Sequence, residues 1–365
     1  RTGMISRIGD DGLGHFLVET LQKEGCDTSH VSVDPHRLTA AVVLAIKDRD
    51  TFPLIFLREN CADMAIADED IAEDFIRQSK ALLITGTHFS TEYINGISQR
   101  ALDRARANDV RTILDIDYRP VLWGLTKRGD GETRYVQSES VTAHLQSILP
   151  KIDLAIGTIE EFNIAGGSTD IIASLESVRR ISGATLVVKR GPMGCAVIDG
   201  AIPRSLDDAF NGRGVTVEVL NVLGAGDAFN GGFLSGWVRG EDYAACTRYA
   251  NACGALVVSR HGCAPAMPTR VELDYFIANA DRIPRPDRDA TLTRLHRVTA
   301  PRVPRDELFV FAFDHRPQFF ALAQEAGADE SRLPDLKQLL VEAVAETERE
   351  RGLRGRVGIL CDDRY

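Results

Sequence analysis

The run LNVLGAGDAFNGG, from Leu220 to Gly232, most restricts what this chain can fold into, because it joins an apolar stretch, a glycine turn, a carboxylate and a helix start. Gly224 and Gly226 can take backbone angles closed to other residues and leave nearby amides bare, so the N–H groups of Gly224, Ala225, Gly226 and Asp227 can converge on one anion. Asp227 stands where the next helix begins, at the positive end of its dipole, which favours an ionised carboxylate able to take a proton from a hydroxyl. A tight turn with a capping aspartate would show the same letters without any chemistry. The flanks favour the first reading. Residues 215–222 have the pattern of a strand, and 228–237 that of a helix whose Gly231, Gly232 and Gly236 would allow close packing onto a sheet. Each interior helix glycine costs roughly 1 kcal/mol against alanine, so three together imply a steric reason.

Apolar runs and amphipathic segments alternate along the chain, the pattern of an α/β fold with a mostly parallel sheet flanked by helices. Strands are expected at 81–85, 111–117, 154–156, 185–189 and 215–220, with helices at 13–24, 71–79, 91–108, 141–149, 171–181, 228–237 and 243–259. The short strands 28–33, 39–46 and 54–57 are joined by turns at Asp34-Pro35 and Lys47-Asp48-Arg49-Asp50, too short for crossover helices, and should form a small antiparallel β lid over about 28–58.

Ile283-Pro284-Arg285-Pro286-Asp287-Arg288, with Pro301 and Pro304, has the character of a linker over 283–305 between a domain at 1–282 and a unit at 306–365. That unit, with strand 308–313 closed by Asp314-His315-Arg316, helix 333–349 and strand 357–361, suggests the start of a (β/α) barrel. A full barrel needs ~250 residues, so it is expected to be incomplete, and no chemistry is assigned to it. The chain opens without methionine inside a strand-like pattern, which is expected of a fragment.

A formal charge of -10, with basic residues dispersed, argues against a nucleic-acid surface and for a small substrate. Seven cysteines at irregular spacing, without a CxxC pair, suit reduced thiols in a cytoplasmic enzyme. No apolar run approaches the ~20 residues of a membrane helix, so no membrane partner is expected.

GAGDAF resembles the second signature of the ribokinase-like (PfkB-type) carbohydrate kinases, DTxGAGDxF, with Asn221 and Val222 where most members have Asp and Thr. The resemblance implies that Asp227 deprotonates a sugar hydroxyl and that Gly224, Ala225 and Gly226 form the anion hole for the transferring phosphoryl group. It further implies ATP and Mg2+, with a monovalent cation as a further candidate, and a homodimer through the lid as one arrangement. Asp115-Ile116-Asp117-Tyr118-Arg119-Pro120 is similar to a DxNxRxxLW stretch of sugar-acid kinases, which puts Asp117 and Arg119 beside substrate or phosphate; a strand-end ion pair is the alternative. Gly157-Thr158-Ile159-Glu160 resembles NxxE, with Gly157 in place of asparagine, and implies Glu160 near the metal. Lys189, Gly191 and Asn251 match positions on the nucleotide side. Ile8-Gly9-Asp10-Asp11-Gly12-Leu13-Gly14 resembles a GxDxxG run beside the lid.

The family's first signature would lie upstream of that run, so the 365-residue chain is expected to lack full kinase activity. The NVLGAGDAF and DIDYRP wording is similar to the branch that phosphorylates 5-dehydro-2-deoxy-D-gluconate in bacterial inositol catabolism. A 2-dehydro-3-deoxygluconate kinase is the alternative within the class, and a non-catalytic sugar- or nucleotide-binding relative the alternative outside it. The tail resembles class I aldolase-like barrels, but no Schiff-base lysine is identifiable there.

Overall fold

A computed structural model describes residues 1–47, 51–299, 307–314 and 316–361, and the chain divides into two units, Arg1–Pro301 and Arg302–Tyr365. The first unit opens with β1 (Gly3–Gly9), α1 (Gly12–Lys23) and β2 (Asp27–Asp34), then β3 (Ala41–Leu44) and β4 (Leu54–Leu57). Next come α2 (Glu73–Arg77), β5 (Ala81–Thr85), α3 (Glu92–Ala107), β6 (Arg111–Asp115), α4 (Glu139–Ile148), β7 (Leu154–Thr158), α5 (Ile159–Gly166) and α6 (Ile171–Ile181). The unit continues through β8 (Thr185–Lys189), β9 (Gly194–Ile198), β10 (Phe210–Arg213), α7 (Ala225–Trp237), α8 (Tyr243–Val258), α9 (Arg270–Asn279) and α10 (Ala290–Thr299).

The main sheet has the order β10-β9-β8-β7-β6-β5, with β5 to β8 parallel and β9 and β10 antiparallel. The middles of its parallel strands are mostly apolar, as expected of a sheet with helices on both faces, while polar residues gather at their ends. Successive side chains alternate between faces. Leu114, Ala155, Leu186 and Val188 cluster with Leu145, Phe162 and Leu175 of α4 to α6, whereas Ile113, Leu154, Ile156 and Val187 cluster with Phe229 and Phe233 of α7. Burying a side chain such as Phe233 contributes about 1.5–3 kcal/mol.

α7 packs against α8 rather than directly onto the sheet through all its glycines. A Cβ on Gly232 would lie 2.7 Å from the Tyr249 carbonyl oxygen, and one on Gly236 2.8 Å from Cys246 Sγ, so both glycines permit helix–helix contact. A Cβ on Gly231 would meet nothing within 4 Å.

Three expectations are corrected. Residues 28–33 do not join an antiparallel lid: β2 pairs parallel with β1, because α1 supplies the crossover between them, and only β3 and β4 form an antiparallel hairpin. The hairpin tip, 48–50, lies outside the described residues; beside it Lys47 N–H donates to the Thr51 carbonyl at 3.1 Å. The run 215–222 is not a strand. Val215 and Val217 bury themselves against the α8–α9 helices instead, and Leu220 N–H donates to the Val258 carbonyl at 2.7 Å. The stretch expected as a linker carries α10, whose Leu292 is fully buried, so these residues belong to the packing of the first unit. Pro301 and Pro304 lie outside the described residues.

The second unit contains β11 (Phe309–Ala312), α11 (Arg316–Glu325), α12 (Leu333–Glu350) and β12 (Val357–Leu360). β11 and β12 pair in parallel, and the helices between them supply the crossover that a parallel pair requires. His315, in the Asp314-His315-Arg316 cluster, lies outside the described residues. Among the described residues no helix is long and apolar enough to cross a membrane.

Candidate active site

Parallel strands end on one edge of a sheet, and ligands of open α/β folds bind there. Thr85, Asp115, Thr158 and Lys189 end β5, β6, β7 and β8, and the N-terminus of α7 is placed at the same edge by contact with Lys189. Gly224 caps α7 at φ 81°, where a Cβ would also collide with Cys263 Sγ, so glycine is required on both counts. Ala225 N–H makes a long turn bond to the Val222 carbonyl (3.4 Å), while the amides of Gly224, Gly226 and Asp227 have no acceptor among the described residues. A Cβ on Gly226 would lie 3.7 Å from Lys189 Nζ, so an ammonium group stands beside these free amides.

The ammonium belongs to a buried charge cluster. Lys189 Nζ lies 3.1 Å from Asp115 Oδ1 and 3.6 Å from Glu161 Oε2. Asp115 also accepts from Asn230 Nδ2 at 2.7 Å, and Asn230 stands one helical turn beyond Asp227 on α7. Glu161 closes a capping box on α5, accepting Thr158 N–H at 2.7 Å. Asp117, held at φ 32°, pairs with Arg119 at 3.0 Å. Burial disfavours the Lys189 charge, but Asp115, Glu161 and Asp117 outweigh it and raise its pKa. Glu161 and Asp117 are pushed up, first by burial, with Lys189 and Arg119 respectively opposing.

Asp227 is accessible to solvent but sits where surrounding protein displaces much of the water. This desolvation, reinforced by Asp115 and Asp117 and opposed by Lys189 and Arg119, raises its pKa above the usual carboxylate value. The helix dipole therefore does not keep Asp227 at an ordinary acidity.

A second cluster adjoins on the β5 side. Arg58, at the end of hairpin strand β4, donates from Nε to Asp63 Oδ2 at 2.6 Å and from Nη2 to His88 Nε2 at 3.4 Å. Arginine only donates, so His88 Nε2 accepts and Nδ1 carries the hydrogen toward Thr85 Oγ1, 3.3 Å away. Burial first, and the Arg58 charge second, lower the His88 pKa to about 4. The Arg58 charge is also felt at Asp117.

Other expected residues fall elsewhere. Glu160 is exposed; its neighbour Glu161 carries the buried carboxylate. One residue rotates a helix position by about 100°, which explains the displacement. The capping pattern Thr158-x-x-Glu161 was the signal that could have found it. Asn251 is buried and donates to the Gly212 and Arg213 carbonyls at 3.3 and 3.0 Å, so it ties α8 to edge strand β10. Gly191 lies exposed in the β8–β9 turn at φ 57°. Arg190 is engaged by Asp207 and Asn211. A groove of about 450 Å³ opens along α7, lined by Asp227, Gly231, Ser235, Met267 and Arg270; Lys189 and Asp115 do not line it. The convergence of charge marks the chemical site better than that groove does.

The model of the pfkB family of carbohydrate kinases matches residues 1–270. That of a family of uncharacterised proteins conserved in bacteria, DUF2090, matches residues 272–365. The chain belongs to the pfkB carbohydrate kinases. It is 31% identical over 291 residues to 5-dehydro-2-deoxygluconokinase 2 of Bacillus cereus, covering 78% of this chain and 82% of that relative. In structure it is similar to a ribokinase-II-type protein of E. coli in complex with ATP and Mg2+ (TM-score 0.65, 23% identity, 76% of this chain and 82% of that one). It is also similar to a double mutant of fructokinase from Vibrio cholerae with fructose, ADP and potassium bound (TM-score 0.63, 22% identity, 76% and 85%). The fold is ribokinase-like, and its structural neighbours are kinases.

Proposed function

We propose that this chain transfers the terminal phosphoryl group of ATP to the terminal hydroxyl of 5-dehydro-2-deoxy-D-gluconate. The observation that carries the proposal is the placement of Asp227 beside free main-chain amides and the Lys189 ammonium at the carboxyl edge of the sheet. The 31% identity to 5-dehydro-2-deoxygluconokinase supports the choice of substrate.

Asp227 takes the proton of the attacking hydroxyl, and its raised pKa makes it a stronger base. The amides of Gly224, Gly226 and Asp227, with Ala225 completing the turn, hold the oxygens of the transferring group. Lys189 and Arg119 supply positive charge, so positioning and charge stabilisation provide most of the catalysis. Arg58, anchored by Asp63 and near enough for its charge to act on Asp117, would take the carboxylate of a sugar acid.

Mg2+ fits the donor chemistry. Asp115, Asp117 and Glu161 stand together at the strand ends, and the pKa values of Asp117 and Glu161 are raised first by burial and then by the neighbouring carboxylates, so a cation among them would be favoured. Asp115 and Glu161, rather than Glu160, are the residues that would hold the ion, directly or through water. When bound, it screens the β- and γ-phosphates.

Hairpin strands β3 and β4 leave Val42, Val43, Ile55 and Leu57 exposed, which supports a lid that meets substrate or a second copy of the chain. A kinase using ATP and a catabolic sugar acid would work in the cytoplasm. ATP turnover on 5-dehydro-2-deoxygluconate and on 2-dehydro-3-deoxygluconate tests the proposal. Preference for the first acid is expected, and preference for the second would replace it.

A further inference from the structure

The anion-hole turn is held from behind by Asn221, which is 2% exposed. Its Oδ1 accepts Leu223 N–H at 3.0 Å, and its Nδ2 donates to the Arg260 carbonyl just beyond α8. Leu220 and Asn221 N–H groups both donate to the Val258 carbonyl, at 2.7 and 3.3 Å. Arg260 donates from Nη1 to the Ala266 carbonyl (3.2 Å) and from Nη2 to Glu272 (2.8 Å). The carbonyls of Val258, Arg260 and Ala266 are thus each met by an N–H group of the chain itself.

The signature that GAGDAF resembles has aspartate where this chain has Asn221. With a carboxylate there, an oxygen would face the Arg260 carbonyl oxygen at contact distance, and both groups only accept. A buried charge in that position needs a proton or a cation between the two oxygens. A monovalent cation is the group the resemblance implied, and the Vibrio fructokinase contains potassium. Here the donor set does not fit one: Asn221 directs N–H, not an oxygen, at the carbonyl.

We propose that the Asn221 carboxamide replaces a bound monovalent cation behind the anion-hole turn, so that this chain needs neither potassium nor sodium to organise Leu223 and Gly224. Asn221 acts as a positioning residue, through the turn and not on the substrate. The activity arm of the test rests on the kinase reading; the stability arm does not.

The full chain is compared in potassium chloride and in tetramethylammonium chloride at equal ionic strength, with Mg2+ kept constant, by thermal unfolding and by ATP turnover. The expected result for the native protein is the same unfolding temperature and the same turnover in both salts. Asn221→Asp is expected to unfold at a lower temperature in tetramethylammonium and to recover in potassium, because a ligand that binds only the folded state stabilises it. Its turnover should fall about tenfold without potassium, the factor associated with one unsatisfied buried polar pair. A native protein stabilised or activated by potassium overturns the proposal, and this holds even where Asn221→Asp does not fold. So does a folded Asn221→Asp indifferent to potassium. Absence of turnover on either sugar acid in any salt would count against the substrate assignment, while the unfolding temperatures still decide the role of Asn221.

Discussion

Lys189 reaches over β7 to Asp115: its Nζ lies 3.1 Å from Asp115 Oδ1, although β8 and β6 are not neighbours in the sheet. One cation thereby joins the ends of three strands, since Glu161 follows β7. It also stands next to Gly226. The same side chain therefore holds the sheet edge together and presents charge to the anion hole.

Lys189→Ala should destabilise the fold by about 3–5 kcal/mol, because removing one partner leaves buried carboxylates without compensation. Urea unfolding monitored by circular dichroism measures this. A loss below about 1 kcal/mol, the range of surface pairs, would show that water reaches the cluster freely.

His88 gives the fold an acid limit. Its folded pKa is lowered to about 4 from 6.5, so below 6.5 the unfolded chain binds a proton that the native protein does not. Stability should fall as pH drops from 6.5 toward 4, by at most about 3 kcal/mol from this group. Comparing unfolding free energies of the native protein and His88→Gln across that window isolates the contribution. The slope should be shallower in the variant, and an unchanged slope would remove His88 from the account.

Adjacent glycines on α7 should respond oppositely. Gly231→Ala places its methyl in open space and should gain up to about 1 kcal/mol in helix propensity. Gly232→Ala drives a methyl against the Tyr249 carbonyl and the Ala250 backbone and should lose about 1–3 kcal/mol. Thermal unfolding of the pair distinguishes close α7–α8 packing from a generic dislike of helix glycine.

The sequence made the frame legible where a strong period met clear boundaries. β5, β8 and α6 have the expected limits, 81–85, 185–189 and 171–181, because their apolar patterns end at turn or capping residues such as Asp170. Pairing was less legible. The alternating pattern of 215–222 suits a sheet surface, but the helices α8 and α9 offer Val215 and Val217 partial burial of their own. Thr28–Val33 carries no mark of which strand it will join, and α1 decided that. At the site, Asp227, Lys189, Asp117 and Arg119 could be named from motif and strand-end position. The Arg58–His88 contact spans 30 residues and has no local signature. Glu160 is exposed while its neighbour Glu161 is buried, a difference that a single position makes on a helix and that no apolar pattern around Thr158 announces.

The central claim is that Asp227 accepts the proton of the sugar hydroxyl beside an anion hole that it does not itself build with its side chain. Steady-state turnover of Asp227→Asn on 5-dehydro-2-deoxygluconate, with ATP affinity measured in parallel by calorimetry, tests it most directly. The account predicts a fall in kcat of about 10²–10⁴ with ATP affinity retained. Turnover within a few-fold of the native protein, or loss of ATP binding with the substitution, would contradict it.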